Sequence, residues 1–552
     1  DVKHEGSISN CIIIGNYAFV DCDELTNVVF PECIKIGHYA FADCDNLTEI
    51  CFSKVEECLN GVFCNCSKLS NATTPRTFSK CKSVGEGMFQ GCSSIDGIQL
   101  PLITNIPKNL FNGCTSLTSF TIPKSCSNIG DGAFEGCASL KTISSSSNSV
   151  DITSMGKNAF KDCISLSDIY QELINDCTKI GSCAFMNCEN LKIQGLSLNV
   201  STIENSTFMN TGIWGTIDLN SVKNIGDDAF RNCDISTILN GSGVSTIGSY
   251  AFKDCNNLSS VDLNKCKSIR QHTFENCTNW SNITLPVSSF TIGSYAFKNC
   301  GKLKSNGLII SDQVTDIGDG AFECCDVANV TFPLCTNIGS SIFKNCTSLI
   351  SVEFDKCSNI TTDMFNGCSS LTTISFPKCQ TIEFGAFKGC SQLSNVTFTS
   401  CQYVGKDTFN ECSDTLTGEF GHTIVTNENG VGLKDVSNLK LPNCSYIENG
   451  MFNGCEKLKS IELNNTNFKT IESNTFRNCC NLYQINTSSC VSIGDGAFYG
   501  CSSLTTISFP KCRKIGNSVF NTCENLSQIN LPKCTSIGSS AFRWCRQMTT
   551  II

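Results

Sequence analysis

Cysteine dominates the residues in this sequence that could do chemistry. There are 42 of them, against four histidines. Twenty-two cysteines fall three residues after a recurring phenylalanine, among them Cys22, Cys44, Cys137, Cys368, Cys390, Cys501 and Cys523. Fourteen more fall eight residues before that phenylalanine, including Cys357, Cys379, Cys490, Cys512 and Cys534. Thiols in such numbers could form a disulfide framework, a metal site, or part of an apolar core. The eight-before position also accepts Val222, Val244, Val314, Ile103 and Ile152. A site that takes either Cys or Val is a small apolar site, so both columns are expected to be buried core thiols. The off-pattern cysteines are the better candidates for bridges: Cys64 near Cys66, Cys324 beside Cys325, and Cys480 beside Cys479. Around Cys58, Cys64 and Cys66 there is no C-x-x-C pair with a partner, so no metal site is expected.

Catalytic constellations are missing as well. His4, His38, His272 and His422 are scattered, with no H-E-x-x-H, and the two near the bends, His38 and His272, are expected to be exposed. Neither a phosphate-cradling G-x-x-x-x-G-K-[ST] nor a G-x-S-x-G elbow occurs. Asp131, Asp319 and Asp495 each follow the I-G of a repeat, which suits a turn or helix start better than acid/base work. No enzyme and no cofactor are expected.

The elements that place these residues repeat. Cys490 to Cys534 contains two successive 22-residue units with the pattern C-x-x-I-G-x-x-A-F-x-x-C-x-x-L-x-x-I-x-[FL]-P-x. The phenylalanine mark recurs from Phe19 to Phe542, 23 times, mostly 22 or 23 residues apart. A gap between Phe409 and Phe452 holds a degenerate unit, with Val431 at the missing mark, giving about 24 repeats. The serine-rich run from Ser144 to Ser149 lengthens one loop. A 22-residue unit cannot bury its own apolar face, so neighbours must stack into one core. This predicts a single continuous solenoid over residues 1–552, with the degenerate unit at about 417–440, where a protruding binding loop is the alternative.

Within a unit, Leu371–Phe376 alternates inward and outward residues, as a strand does. Ile, Ala/Phe and Cys then recur at spacings near three and four, which predicts a short helical or 3-10 turn, with the preceding Gly making a tight bend. The phrase I-G-D-G-A-F-x-G-C-x-S-L, found at Ile129–Leu140 and Ile493–Leu504, resembles the BspA-like subclass of leucine-rich repeats. The resemblance implies an α/β-type solenoid: a leucine-rich-repeat superhelix with one parallel β-sheet on its concave face and short helical or 3-10 turns on its convex face. It further implies a secreted or cell-surface protein concerned with adhesion to protein or glycoprotein ligands.

Outward strand positions then form the candidate binding face: Ser260, Asp262, Asn282, Thr284, Ser351, Glu353, Thr373, Ser375, Asn395, Thr397, Thr506 and Ser508, with Gln528 and Asn530 beyond. The face is polar, nearly uncharged and poor in aromatics; Trp214, Trp280 and Trp544 are the exceptions to test. Charged residues make up only 16% of the chain and the net charge is -10 without a basic run, which argues against nucleic acid and against polybasic membrane contact. No apolar run is long enough to span a membrane. Of 18 N-x-[ST] sequons, Asn46, Asn71, Asn199, Asn205, Asn257, Asn329 and Asn395 are candidate glycosylation sites in a secretory route. Because the chain starts and stops inside repeats, it is expected to be a mature fragment or the ordered part of something longer. A structural subunit of an extracellular filament or coat, stacked end to end on itself, is the alternative function.

Overall fold

The computed structural model describes residues 10–70, 78–146, 152–262, 264–280, 282–284, 288–301, 313–421 and 432–552. It divides into two compact units, Asp1–Leu285 and Pro286–Ile552. Both are stacks of parallel coils of one design.

A regular coil carries two strands. The longer is the x-I-x piece, such as Thr373–Ser375, which pairs in parallel with Asn395–Thr397 of the next coil. A shorter strand precedes the glycine, such as Thr381–Ile382, paired with Tyr403–Val404. The same two ladders run through the first unit, where Asn27–Val29 pairs with Glu49–Cys51 and Lys35–Ile36 with Glu57–Cys58. One sheet was expected and two ladders form. The second escapes a periodicity search because it is only two residues long and its single inward residue, Ile382 or Ile36, reads equally well as the start of a helical stripe.

The predicted helical turns do not form. Among the described residues, helix is confined to Glu172–Asn175 and a 3-10 piece at Gly241–Gly243. The segment around the phenylalanine is a run of turns whose amides point to the neighbouring coil. Gly385, Phe387 and Gly389 donate N–H bonds to the carbonyls of Lys406, Thr408 and Asn410, at 3.0, 2.9 and 2.8 Å. An α-helix would direct those amides four residues back along its own chain. What redirects them is left-handed backbone two residues before and after the phenylalanine: φ is +62° at Gly385 and +73° at Gly389, and +57° at Asp407 and +61° at Glu411 in the next coil. These positions accordingly favour Gly, Asn and Asp.

The glycine of I-G does not make a tight bend. Its φ lies outside the left-handed region; instead, the preceding coil passes too close for a side chain. A Cβ on Gly494 would lie 2.5 Å from the backbone nitrogen of Ser473.

Inside, the marked phenylalanines stack ring on ring, as at Phe134–Phe160 (5.0 Å between centroids, 3° between planes) and Phe387–Phe409 (5.6 Å, 3°). The inward Ile and Leu of the longer strand pack beside them, most of them buried. Through the degenerate region the longer ladder continues, from Asn395–Phe398 to Thr417–Phe420 to Asn438–Lys440 to Ser460–Glu462. Val431 and the rest of 422–431 lie outside the described residues.

Candidate functional site

Alternation on the longer strand decides which side chains face outward. Ser351, Glu353, Thr373, Ser375, Asn395, Thr506 and Ser508 are exposed, and Thr397, Ser260 and Asp262 are half-buried. Pairing brings Thr373 opposite Asn395 and Ser375 opposite Thr397, and sets Thr506 and Ser508 against Gln528 and Asn530. Ser351–Glu353 pairs with Asn329–Thr331. In the first unit, Ser260–Asp262 pairs with Asn282–Thr284, whose side chains lie outside those described. Successive coils therefore present two columns of outward side chains, about 4.8 Å apart from coil to coil. Along much of the face these residues bond to one another: Ser351 donates to Asn329 Oδ1 (2.6 Å) and Ser460 to Asn438 Oδ1 (2.8 Å).

Part of the face is hollowed. A groove of about 700 Å³ lies over three coils, lined by Tyr483, Gln484, Asn486, Thr506, Ser508 and Gln528, with Asn530 beside them. Tyr483, Gln484 and Asn486 were not singled out from the sequence, although Leu482–Asn486 repeats the L-x-x-I-x pattern that would have placed the last two. A second groove, of about 740 Å³, follows the short strands of the first unit. Its lining mixes Lys108, Lys157 and Lys179 with Glu86 and Asp131, and Asp131 is already used: its Oδ1 accepts the Lys157 backbone N–H at 2.7 Å.

That bond is the general role of the aspartates after I-G. Asp319 accepts from Ser340 N–H (2.6 Å) and Asp495 from Asn517 N–H (2.7 Å), each one coil along. They tie coils together rather than start helices.

The thiols have equally defined places. Cys44, Cys137, Cys368, Cys390, Cys501 and Cys523 are buried, and each Sγ–H donates to the carbonyl of the phenylalanine one coil back, at 3.0–3.1 Å. Cys357, Cys379, Cys490 and Cys512 are buried and donate to the carbonyl two residues on, at 2.9–3.4 Å. Cys22 and Cys534 are only partly buried. Cys64, Cys324 and Cys480, expected to be the better partners for bridges, are free and partly exposed thiols. No group of three or more His, Cys, Asp or Glu among the described residues is placed to hold a metal ion.

Several outlying residues sit differently from expectation. Trp280 is buried, edge-on to Phe274 at 4.3 Å, because it fills the inward position that leucine takes elsewhere. Trp214 and Trp544 are 40% and 51% exposed, and Trp544 has the guanidinium groups of Arg543 and Arg546 each 5.5 Å from its ring. His38 and His272 are half-buried and engaged rather than exposed. His38 Nδ1 accepts from Asn60 N–H, and His272 Nδ1 lies 2.6 Å from Glu275. Burial of Glu275 opposes its charge, but the bonds from Lys253 (2.7 Å) and His272 outweigh it and hold the carboxyl below the usual range.

Of the sequon asparagines, Asn199, Asn205, Asn257, Asn329 and Asn395 are exposed and Asn46 is half-buried. Asn46 and Asn257 donate through Nδ2, to Asp23 and Asp234 of the preceding coil. Asn205 and Asn329 accept through Oδ1, from Asp227 N–H and the Ser351 hydroxyl. Asn71 lies outside the described residues.

The model of the BspA type leucine rich repeat region (6 copies) matches residues 7–117, 104–233, 201–308, 291–416 and 432–549. The chain belongs to that family. Similar solved structures include a leucine-rich repeat protein from Bacteroides ovatus, 24% identical with a TM-score of 0.38, covering 68% of this chain and 82% of that one. A leucine rich cell surface protein from Faecalibacterium prausnitzii is 25% identical with a TM-score of 0.38, covering 58% of this chain and 83% of that one. A leucine-rich repeat protein from Eubacterium ventriosum is 20% identical with a TM-score of 0.29, covering 70% and 83%. No curated protein matches the chain. No helix among the described residues is long and apolar enough to cross a membrane.

Proposed function

We propose that this chain is the recognition part of a secreted or cell-surface protein, and that it binds a protein or glycoprotein partner through the outward face of its longer strands. The observation that carries this reading is the face itself: two columns rich in Ser, Thr, Asn and Gln, with Asp262, Glu353, Glu419 and Glu462 interspersed, presented on a backbone fixed by buried Phe and Ile. Rigid repeat arrays use such extended surfaces for binding, since the side chains are positioned before the partner arrives. Membership of a family of leucine-rich-repeat proteins points the same way. Among the described residues most thiols are buried, and the aspartates and histidines described above are engaged in structural bonds.

The test uses three substitutions across the face, Ser351→Lys, Thr373→Lys and Asn395→Lys, made together. Binding to immobilised matrix glycoproteins is compared with that of Gln402→Lys, an exposed residue beside the short strand. Loss of binding in the triple variant, with binding retained in the control, is expected. Unchanged binding in the triple variant would remove the face from the function.

A further inference from the structure

Three features of the groove at Tyr483–Asn530 together bear on what it could hold. First, its lining contains no Asp, Glu, Lys, Arg or His. Secondly, three of its four amides are unspent. The side chains of Gln484, Asn486 and Gln528 bond to no other protein group, whereas Asn530 donates to Ser508 Oγ at 3.3 Å and elsewhere Asn329 and Asn438 accept from neighbouring serines. Thirdly, its floor is partly opened. Thr506–Ser508 pairs with Gln528–Asn530 but not with Gln484–Asn486, so the ladder is interrupted beneath the groove. At that coil the inward position after the strand holds Thr487, where its neighbours hold Leu463 and Phe509, and Ile485 is half-exposed while Ile461, Ile507 and Ile529 are buried.

These features select a ligand class. A charged peptide or nucleic acid would be met by opposite charge, and there is none. A well-packed protein contact would be anchored by a cluster of aromatic or Arg side chains, and here there is one aromatic, Tyr483, 51% exposed. A neutral sugar needs what is present. Its hydroxyls both donate and accept, as amide and hydroxyl side chains do. Its C–H faces need a flat apolar surface, which the Tyr483 ring and the Ile485 edge provide. The volume is within the range of small-ligand sites.

We propose that this groove binds a neutral oligosaccharide, one sugar ring lying on Tyr483 and its hydroxyls held by Gln484, Asn486 and Gln528. The proposal rests on the reading of the outward face as the recognition surface and narrows it to the glycan of a glycoconjugate.

The experiment is titration calorimetry of the full chain with chitotriose, cellotriose, mannotriose and N-acetyllactosamine, at low and high salt. At least one should bind saturably with little salt dependence. Tyr483→Ala, at an exposed position where folding is unaffected, should weaken that binding about tenfold or more. Gln402→Lys, at an exposed position beside the short strand, should leave it unchanged. If no sugar binds, if Tyr483→Ala binds as well as the parent, or if salt abolishes binding, the proposal falls. Capture of matrix glycoproteins that remains sensitive to the triple lysine change, with no sugar bound, would overturn the saccharide site alone. Enzymatic deglycosylation of the matrix proteins should abolish the part of their capture that Tyr483→Ala removes; unchanged capture would favour a polypeptide epitope and overturn the site.

Discussion

Replacing interior thiols with valine should make the second unit resist alkali. Cys357, Cys379 and Cys401 hold the same inward position in consecutive coils, exposed by only 3%, 0% and 0%. Other coils carry Val222, Val244 and Val314 there, so Cys357→Val, Cys379→Val and Cys401→Val together preserve the packing. Burial pushes the Cys357 thiol up to about 11 and the Cys401 thiol up to about 12, and raises Cys379 as well. In the unfolded chain each returns to about 8.5. Above that pH the folded state holds more protons than the unfolded one, so stability falls as pH rises. The contribution is complete below about pH 8.5 and is lost as pH climbs toward the folded values. At about pH 10 the cost is about 1.4 kcal/mol per pH unit over 1.5 units, or about 2 kcal/mol per thiol and about 6 kcal/mol for three. Urea unfolding followed by far-UV circular dichroism, with reductant present, measures it at neutral pH and at about pH 10. The triple valine variant should lose roughly 6 kcal/mol less than the parent between the two conditions. Lysine and tyrosine titration is common to both proteins and cancels. Equal losses would refute the reasoning and show that these thiols are open to water.

Three further outcomes follow from the same geometry. Iodoacetamide should label Cys64, Cys324 and Cys480 in the native protein, while Cys368, Cys390 and Cys501 react only after unfolding; peptide mass spectrometry reads both, and equal rates would contradict the burial. Phe387→Ala removes a buried ring stacked on Phe365 at 5.3 Å and Phe409 at 5.6 Å. It should cost about 3–5 kcal/mol in urea unfolding. Gly494→Ala, whose Cβ would meet the Ser473 backbone at 2.5 Å, should destabilise more than Gly454→Ala, which has open space but φ +74°. The latter should cost about 1–2 kcal/mol for left-handed backbone alone, and the reverse order in urea midpoints would count against the close coil approach.

The sequence made the repeat, its length and its long strand legible because period-two alternation in Leu371–Phe376 has no competing explanation once it recurs every 22 residues. The turn block was illegible for a specific reason. Inward residues at spacings of three and four fit a helix, but they equally fit a chain that reverses handedness at Asp407 and Glu411 and sends its amides to the next coil. Periodicity records which side chains are buried and not where the backbone hydrogen bonds go. Gly494 misled similarly, since a glycine needed for a neighbour's approach looks like one needed for a bend. Trp280 looked like a surface anchor because tryptophan is rare here, yet its place in the repeat, three residues after Cys277, is an inward one. At the candidate site the alternation that places Thr506 and Ser508 outward was readable, while the groove was not, because it depends on Thr487 and an interrupted ladder in the adjoining coil.

The two cysteine columns answer different demands, and the sequence contains the evidence. The eight-before position tolerates Val222 and Val244, so a compact apolar side chain suffices there. The three-after position is Cys at every phenylalanine mark but one, and the exception is Thr211, which also carries a donor. Unlike the cysteines, Thr211 donates to the carbonyl of its own coil's phenylalanine, Phe208, at 2.8 Å. In the regular coils that carbonyl has two lone pairs to satisfy in a dry interior. At Phe365 one is met by the Cys368 backbone N–H at 3.1 Å and the other by the Cys390 thiol, also at 3.1 Å. Valine would leave the second unmet, and serine would exchange a weakly polar sulfur for a hydroxyl that is costlier to bury. A thiol is small, apolar enough for the core, and still able to donate. The abundance of cysteine in this chain therefore follows from the bonding needs of stacked coils, and it places no requirement on disulfides for the fold to hold.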